Sequence, residues 1–213
     1  MNVPYVPNFM RWVFILMVLS FSVKGQKNIL IMGNHSSLCL DNKLVFVAKQ
    51  TLPDSLSDFK VIMLFSSSIS SLTNKDVNRI VTFIEKGGGL YSGAENWPLQ
   101  AESNQVTNRL YQKKSFGNYQ QRIAECSEHA ANLNLKDVDS LPAGSSTVAF
   151  PMDYRLKVEA WINDQPLILS GELGKGRIVI DGGYSRFYCN QRNEFSDLLF
   201  KEILLYLHSE RAR

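Results

Sequence analysis

A chain of 213 residues, 45% hydrophobic and 20% charged, has the size and make-up of one packed domain and excludes a disordered or fibrous protein. Its formal net charge of +3 is small and gathers into no basic stripe, so nothing points to nucleic acid. Three cysteines without a C-x-x-C pair support neither a thioredoxin-like site nor a zinc knuckle.

The N-terminal stretch "FMRWVFILMVLSFSVKGQ" places Arg11 ahead of an apolar run from Trp12 to Val23. That run is short for a bilayer span and suits the core of a signal peptide, with cleavage expected after Val23-Lys24-Gly25. The competing reading is an uncleaved membrane anchor. No cysteine follows the run, which argues against a lipoprotein anchor. Residues 1–25 carry Arg11 and Lys24 and no acid, so their removal lowers the formal charge from +3 to +1. The sequence predicts an exported protein, periplasmic or extracellular, that meets a membrane only through an uncleaved signal anchor. Residues 26–213 then form the mature domain.

"KNILIMGN" (27–34) and "FKVIMLF" (59–65) are compact apolar runs, as expected of parallel strands buried on both faces. Between them, Leu40, Leu44, Val47 and Ala48 fall at helical spacing, so a helix is expected there. Thr73 followed by Asp76 is a capping-box pattern, and Val77, Ile80, Val81 and Ile84 form one apolar stripe behind it. Gly87 to Gly89 stop this helix, and Leu90 and Tyr91 open a third strand. Alternating strands and helices of this kind predict a parallel sheet built from right-handed crossovers.

From about residue 97 to 153 the pattern weakens, and an irregular insertion over the strand ends is expected. Within it "QRIAECSEHAANLNL" reads as a helix and "SLPAGSSTVAFPMD" as a loop. "YRLKVEAWI" (154–162) and "PLILSGELGKGRIVIDGG" (166–183) are β-rich, and "LGKG" is a glycine turn between antiparallel strands. "NEFSDLLFKEILLYLHSE" closes the chain as an amphipathic helix capped at Asn193 or Ser196.

Two segments carry a resemblance. "DFKVIMLFSSSISSLTNKDVNRIVTFIEKGGGLYSG" is similar to the strand, helix and glycine break of class I glutamine amidotransferase-like domains. "GELGKGRIVIDGGYSRF", with the closing helix, resembles the end of that superfamily's non-amidotransferase branch. The branch includes gliding-motility and intraflagellar-transport type domains and uncharacterised exported bacterial families. The resemblance covers about residues 27–96 and 166–208. It implies an α/β, flavodoxin-like layered domain with a mostly parallel central sheet, an antiparallel C-terminal hairpin and the insertion at about 97–153. It also implies a lost activity. Active members carry a nucleophilic cysteine in a G-x-C-x-G elbow after the glycine break, with a histidine base and a glutamate downstream. Here the elbow reads Tyr91-Ser92-Gly93-Ala94-Glu95-Asn96, and "GGYSRFYCNQRNE" holds no histidine.

Loops at the carboxyl ends of parallel strands form the ligand crevice of such sheets. His35, Ser36, Ser66, Glu95, Asn96, Tyr184, Arg186 and Tyr188 are expected to gather there, as a binding cleft or as loops that cap strand ends. The leading expectation is a non-catalytic domain that binds an unknown partner protein or a glycan-like ligand, with no cofactor and no metal. His35, Asp41, Glu95 and Asp181 have no diagnostic metal-ligand spacing, and His129 and His208 stand in unrelated contexts. The alternatives are a hydrolase acting on a saccharide or amide with Cys189 or Ser92 and His35, and a subunit of a surface transport or motility assembly. Export favours a Cys39–Cys189 disulfide over a reactive Cys189 thiol.

Overall fold

The computed structural model describes residues 29–39, 45–67, 72–128, 132–135 and 137–209. The expected signal segment 1–25, and also Leu40, Asp41, Leu44, Ser68 and His129, lie outside the described residues.

Strand β1 spans Ile29–Gly33, β2 Phe46–Lys49 and β3 Val61–Phe65. β2 corrects the helix expected between the first two apolar runs. Val47 and Ala48 pair with Leu30 and Ile31 in a parallel ladder. Val45, Phe46 and Val47 are β-branched or aromatic and suit a pleated sheet edge. No residue of β2 is fully buried, so there is no helical stripe to cover.

Helix α1 (Asn74–Glu85) starts at a complete capping box: the Thr73 hydroxyl accepts from Asp76 N at 3.1 Å, and the Asp76 carboxylate accepts from Thr73 N at 3.2 Å. Such a cap contributes about 1 kcal/mol. Its buried face is Val77, Ile80, Val81 and Ile84, each worth roughly 1.5–3 kcal/mol of burial. Strand β4 (Gly89–Gly93) follows, buried at every position.

Among its described residues the insertion forms regular elements. Helix α2 spans Ala101–Tyr111, and strands β5 (Phe116–Tyr119), β6 (Ile123–Cys126), β7 (Ser140–Pro142) and β8 (Thr147–Ala149) follow. Within "QRIAECSEHAANLNL", where a helix is expected, Ile123–Cys126 form β6, because Ile123, Ala124 and Glu125 alternate exposed, buried, exposed, the period of a strand with one covered face. The loop expected at "SLPAGSSTVAFPMD" contributes β7 and β8, β8 pairing with β5.

β9 (Leu156–Ile162), β10 (Gln165–Leu173) and β11 (Gly176–Asp181) complete the sheet, and α3 (Glu194–His208) closes the chain with the Asn193 side chain accepting from Ser196 N. Among the described residues one sheet has nine strands in the order β2-β1-β3-β4-β11-β10-β9-β6-β7. The run from β2 to β11 is parallel, and β10, β9, β6 and β7 pair antiparallel. The β10–β11 turn needs its glycine: a Cβ at Gly176 would sit 2.1 Å from the Ile84 carbonyl oxygen.

Alternate residues of the parallel strands feed two cores. Ile31, Met63, Tyr91 and Val179 pack with Leu199, Ile203 and Tyr206 of α3. Leu30, Ile62, Leu90 and Ile178 pack with Ile80 and Ile84 of α1 and Val106 of α2. The molecule is therefore an α/β layered domain, and the parallel ladder sends the loops after β1, β3, β4 and β11 to one edge.

Candidate functional site

At that edge the strands are closed over by their own loops. Ser66 N donates to Gly93 O at 3.0 Å, and Ala94 N donates to Asp181 O at 2.7 Å. The loop after β1 meets the loop after β11 through the Cys39–Cys189 disulfide and a Leu38–Tyr188 bridge. Cys39 N donates to Phe187 O and Cys189 N to Ser37 O.

Beneath these loops lies a buried polar network. Asp181 and Arg186 pair at 2.9 Å, both side chains at 0% exposure. The Asp181 carboxylate also accepts from the Tyr91 hydroxyl at 2.7 Å and from Gly183 N at 3.0 Å. Arg186 donates to Gly183 O at 2.8 Å and to Ala143 O at 2.9 Å. Burial, with the Asp181 charge second, holds the Tyr91 hydroxyl well above the ordinary tyrosine range. Arg186 thus ties the end of β11 to the segment after β7.

Glu95 is 3% exposed and accepts from Ser185 N at 2.8 Å. Burial pushes its carboxyl up to about 7, against the opposing effect of the Ser185 hydrogen bonds. Ser185 Oγ accepts in turn from Ser145 N at 2.7 Å. Asn96 accepts from the Ser146 hydroxyl at 2.6 Å, and the Gln191 amide donates to the Ser145 hydroxyl. These bonds shape a cleft of about 630 Å³ lined by Asn96, Asn118, Gln120, Arg122, Ser145, Ser146 and Gln191, together with Pro142 and Gly144.

The residues expected from the sequence therefore divide. Asn96 is on the cleft wall, and Glu95 lies behind it, bonded to Ser185. Arg186 and Tyr184 are fully buried, and the Tyr184 hydroxyl donates to Ser66 O at 2.6 Å. Asn34 donates to the Tyr188 hydroxyl at 2.9 Å. Ser66 Oγ accepts from Ser103 N at 2.9 Å and anchors α2. His35 is half-buried with Nδ1 2.8 Å from Gly33 O, and Ser36 is exposed. Ser92 is at 0% exposure with Oγ 2.8 Å from Ser103 Oγ, and the Cys189 sulfur is bonded to Cys39. Neither side chain presents a free nucleophile. Among the described residues no three His, Cys, Asp or Glu side chains group to hold a metal ion.

Sequence reasoning missed Asn118, Gln120, Arg122, Ser145, Ser146 and Gln191. The polar run "NYQQR" was the available signal. Only the pairing of β5 with β8 and of β6 with β7 brings it beside the loop of Ser145 and Ser146.

No family model and no curated protein matches the chain. Solved structures do. The mmIFT52 N-terminal domain aligns with 87% of this chain and 100% of its own at a TM-score of 0.64 and 9% identity. The cytoplasmic protein STM1381 from Salmonella typhimurium LT2 aligns with 85% and 100% at 0.62 and 15% identity. A putative ThuA-like protein from Bacteroides uniformis ATCC 8492, of class I glutamine amidotransferase-like fold, aligns with 84% and 90% at 0.55 and 11% identity. At these identities the likeness is one of fold.

Proposed function

We propose that this chain is an exported, non-catalytic domain of the flavodoxin-like, class I amidotransferase-like lineage, and that its strand-end cleft binds a neutral, hydroxyl-rich saccharide. The observation that carries the reading is the cleft lining: four carboxamides and two serines, with Arg122 as the one charged side chain. Each carboxamide offers donors and an acceptor side by side, which matches sugar hydroxyls. No carboxylate lines the cleft, so a cationic ligand finds no partner there. Trp97, next to Asn96, is 73% exposed, the kind of apolar ring face on which a sugar stacks.

The absence of chemistry rests on the elbow. Ala94 falls at or near the position where the resemblance puts the cysteine, and it is fully buried. Ser92 faces Ser103, and Cys189 is bridged. Export is supported by the bridge, since such bonds persist in oxidising compartments. Two neighbouring structures named as cytoplasmic share only 14% and 15% identity and speak to fold.

The test is binding of a panel of soluble neutral oligosaccharides by calorimetry, to the wild type and to the Asn96→Ala/Gln191→Ala variant. Saturable binding that the double variant weakens supports the reading. Binding to no oligosaccharide, or capture of a partner protein through this edge instead, overturns it.

A further inference from the structure

We propose that a second concavity, between α1 and the segment 54–60, binds a single-chain fatty anion, with its carboxylate at the Lys60–Lys86 end and its hydrocarbon along Phe83, Phe59 and Leu56. The groove has a volume of about 860 Å³ and is bounded by Lys60, Gly87 and Gly88 where β3 and β4 begin. It therefore lies at the opposite edge of the sheet from the saccharide cleft and is independent of it. Its α1 wall is Lys75, Asn78, Arg79, Thr82, Phe83 and Lys86, the helix face turned away from the buried stripe of Val77, Ile80, Val81 and Ile84. From Lys75 to Lys86 that wall runs ~16 Å along the helix axis.

The floor is apolar and built. Phe59 and Phe83 are half-buried, and the Phe83 ring lies so close over Gly88 that a Cβ there would be 2.2 Å from it. The charges are distributed unevenly along the groove. Near the start of α1 the two cations Lys75 and Arg79 are matched in number by two acids, Asp76, which pairs with Arg79 at 3.4 Å, and Asp54. At the other end Lys60 and Lys86 are exposed and join no ion pair among the described residues. The last carbonyls of α1 already accept from Lys86, Gly87 and Gly88 N–H groups, so they do not face an incoming anion unpaired. One end with a net positive charge, joined to an extended apolar floor, matches an amphiphile with one head. An acidic peptide would want a net positive charge along its whole length, and Asp54 and Asp76 cancel it near the start of α1.

The probe is sodium dodecanoate, titrated below its micellar concentration into the full chain and followed by calorimetry. The expected result is saturable binding at one site, weakened about tenfold by Lys60→Glu/Lys86→Glu. Both lysines are exposed, and an unchanged melting temperature of that variant verifies its fold. Asn96→Ala/Gln191→Ala leaves dodecanoate binding unchanged, which separates this site from the saccharide cleft. Equal binding of dodecyltrimethylammonium, equal affinity in the charge-reversed variant, displacement by an acidic peptide, or no saturable binding overturns the proposal.

Discussion

Asp181 and Arg186 meet at 2.9 Å with neither side chain exposed, and Arg186 also holds Ala143, next to Gly144 on the cleft wall. A buried pair of this kind is set by what surrounds it. Asp181 has Tyr91 and Gly183 as further donors, so its carboxylate is well solvated by the protein.

Removing one partner strands the other. Arg186→Met is expected to lower stability by about 3–5 kcal/mol, read from urea unfolding, because Asp181 stays buried without its cation. Adding Asp181→Asn to it should recover part of that loss. If the single variant unfolds at the wild-type midpoint, the pair does not hold this edge together.

Glu95 gives the edge a pH dependence. Its carboxyl is raised to about 7 in the folded chain and sits near 4.5 when unfolded. The unfolded state therefore releases its proton first as pH rises. Stability is full below about 4.5, falls as pH rises toward 7, and is level above that, for a total of about 3 kcal/mol. Buried Glu102 and Glu159 are raised by burial too and act in the same direction, so the measurement is a difference. Urea midpoints of wild type minus Glu95→Gln should fall between pH 5 and pH 8. A constant difference contradicts the burial argument.

The Cys39–Cys189 bridge closes a sequence separation of 150 residues. Replacing both cysteines by serine is expected to cost about 2–4 kcal/mol, with reduction of the wild type giving the same loss by thermal melting. Free Cys126 is half-buried, and burial pushes its thiol up to about 11. Iodoacetamide at neutral pH should therefore label the native chain slowly.

Ser92 is a packing residue in this account. Ser92→Ala removes the contact with Ser103 and is expected to cost about 1 kcal/mol while leaving saccharide affinity unchanged. A loss of affinity without a loss of stability would give Ser92 a direct role.

The parallel half of the fold was legible because its signals are local. Continuous apolar runs mark β1 and β3, and Thr73 with Asp76 marks the start of α1. β2 was hidden, since Val47 and Ala48 satisfy a helical period as easily as a short edge strand and only pairing with β1 decides. β6 and β7 were hidden for the same reason, as their partners lie far along the chain or in each other. The site was legible at the level of the edge. Asn96 was placed on it, but Arg186 and Tyr184 read as ligand groups when both are fully buried, with Arg186 Nη2 bonded to Asp181 and Ala143 and the Tyr184 hydroxyl to Ser66 O. Which side chains line the cleft depends on the insertion's strand pairing, which carries no short-range sequence mark.

The most direct test of the central claim is an NMR titration of the chain with neutral oligosaccharides, following the side-chain amides of Asn96, Asn118, Gln120 and Gln191 while the sugar is assayed for cleavage. The account predicts saturable shifts of those four amides with the saccharide recovered intact. Shifts confined elsewhere, or release of a hydrolysed product, would contradict it.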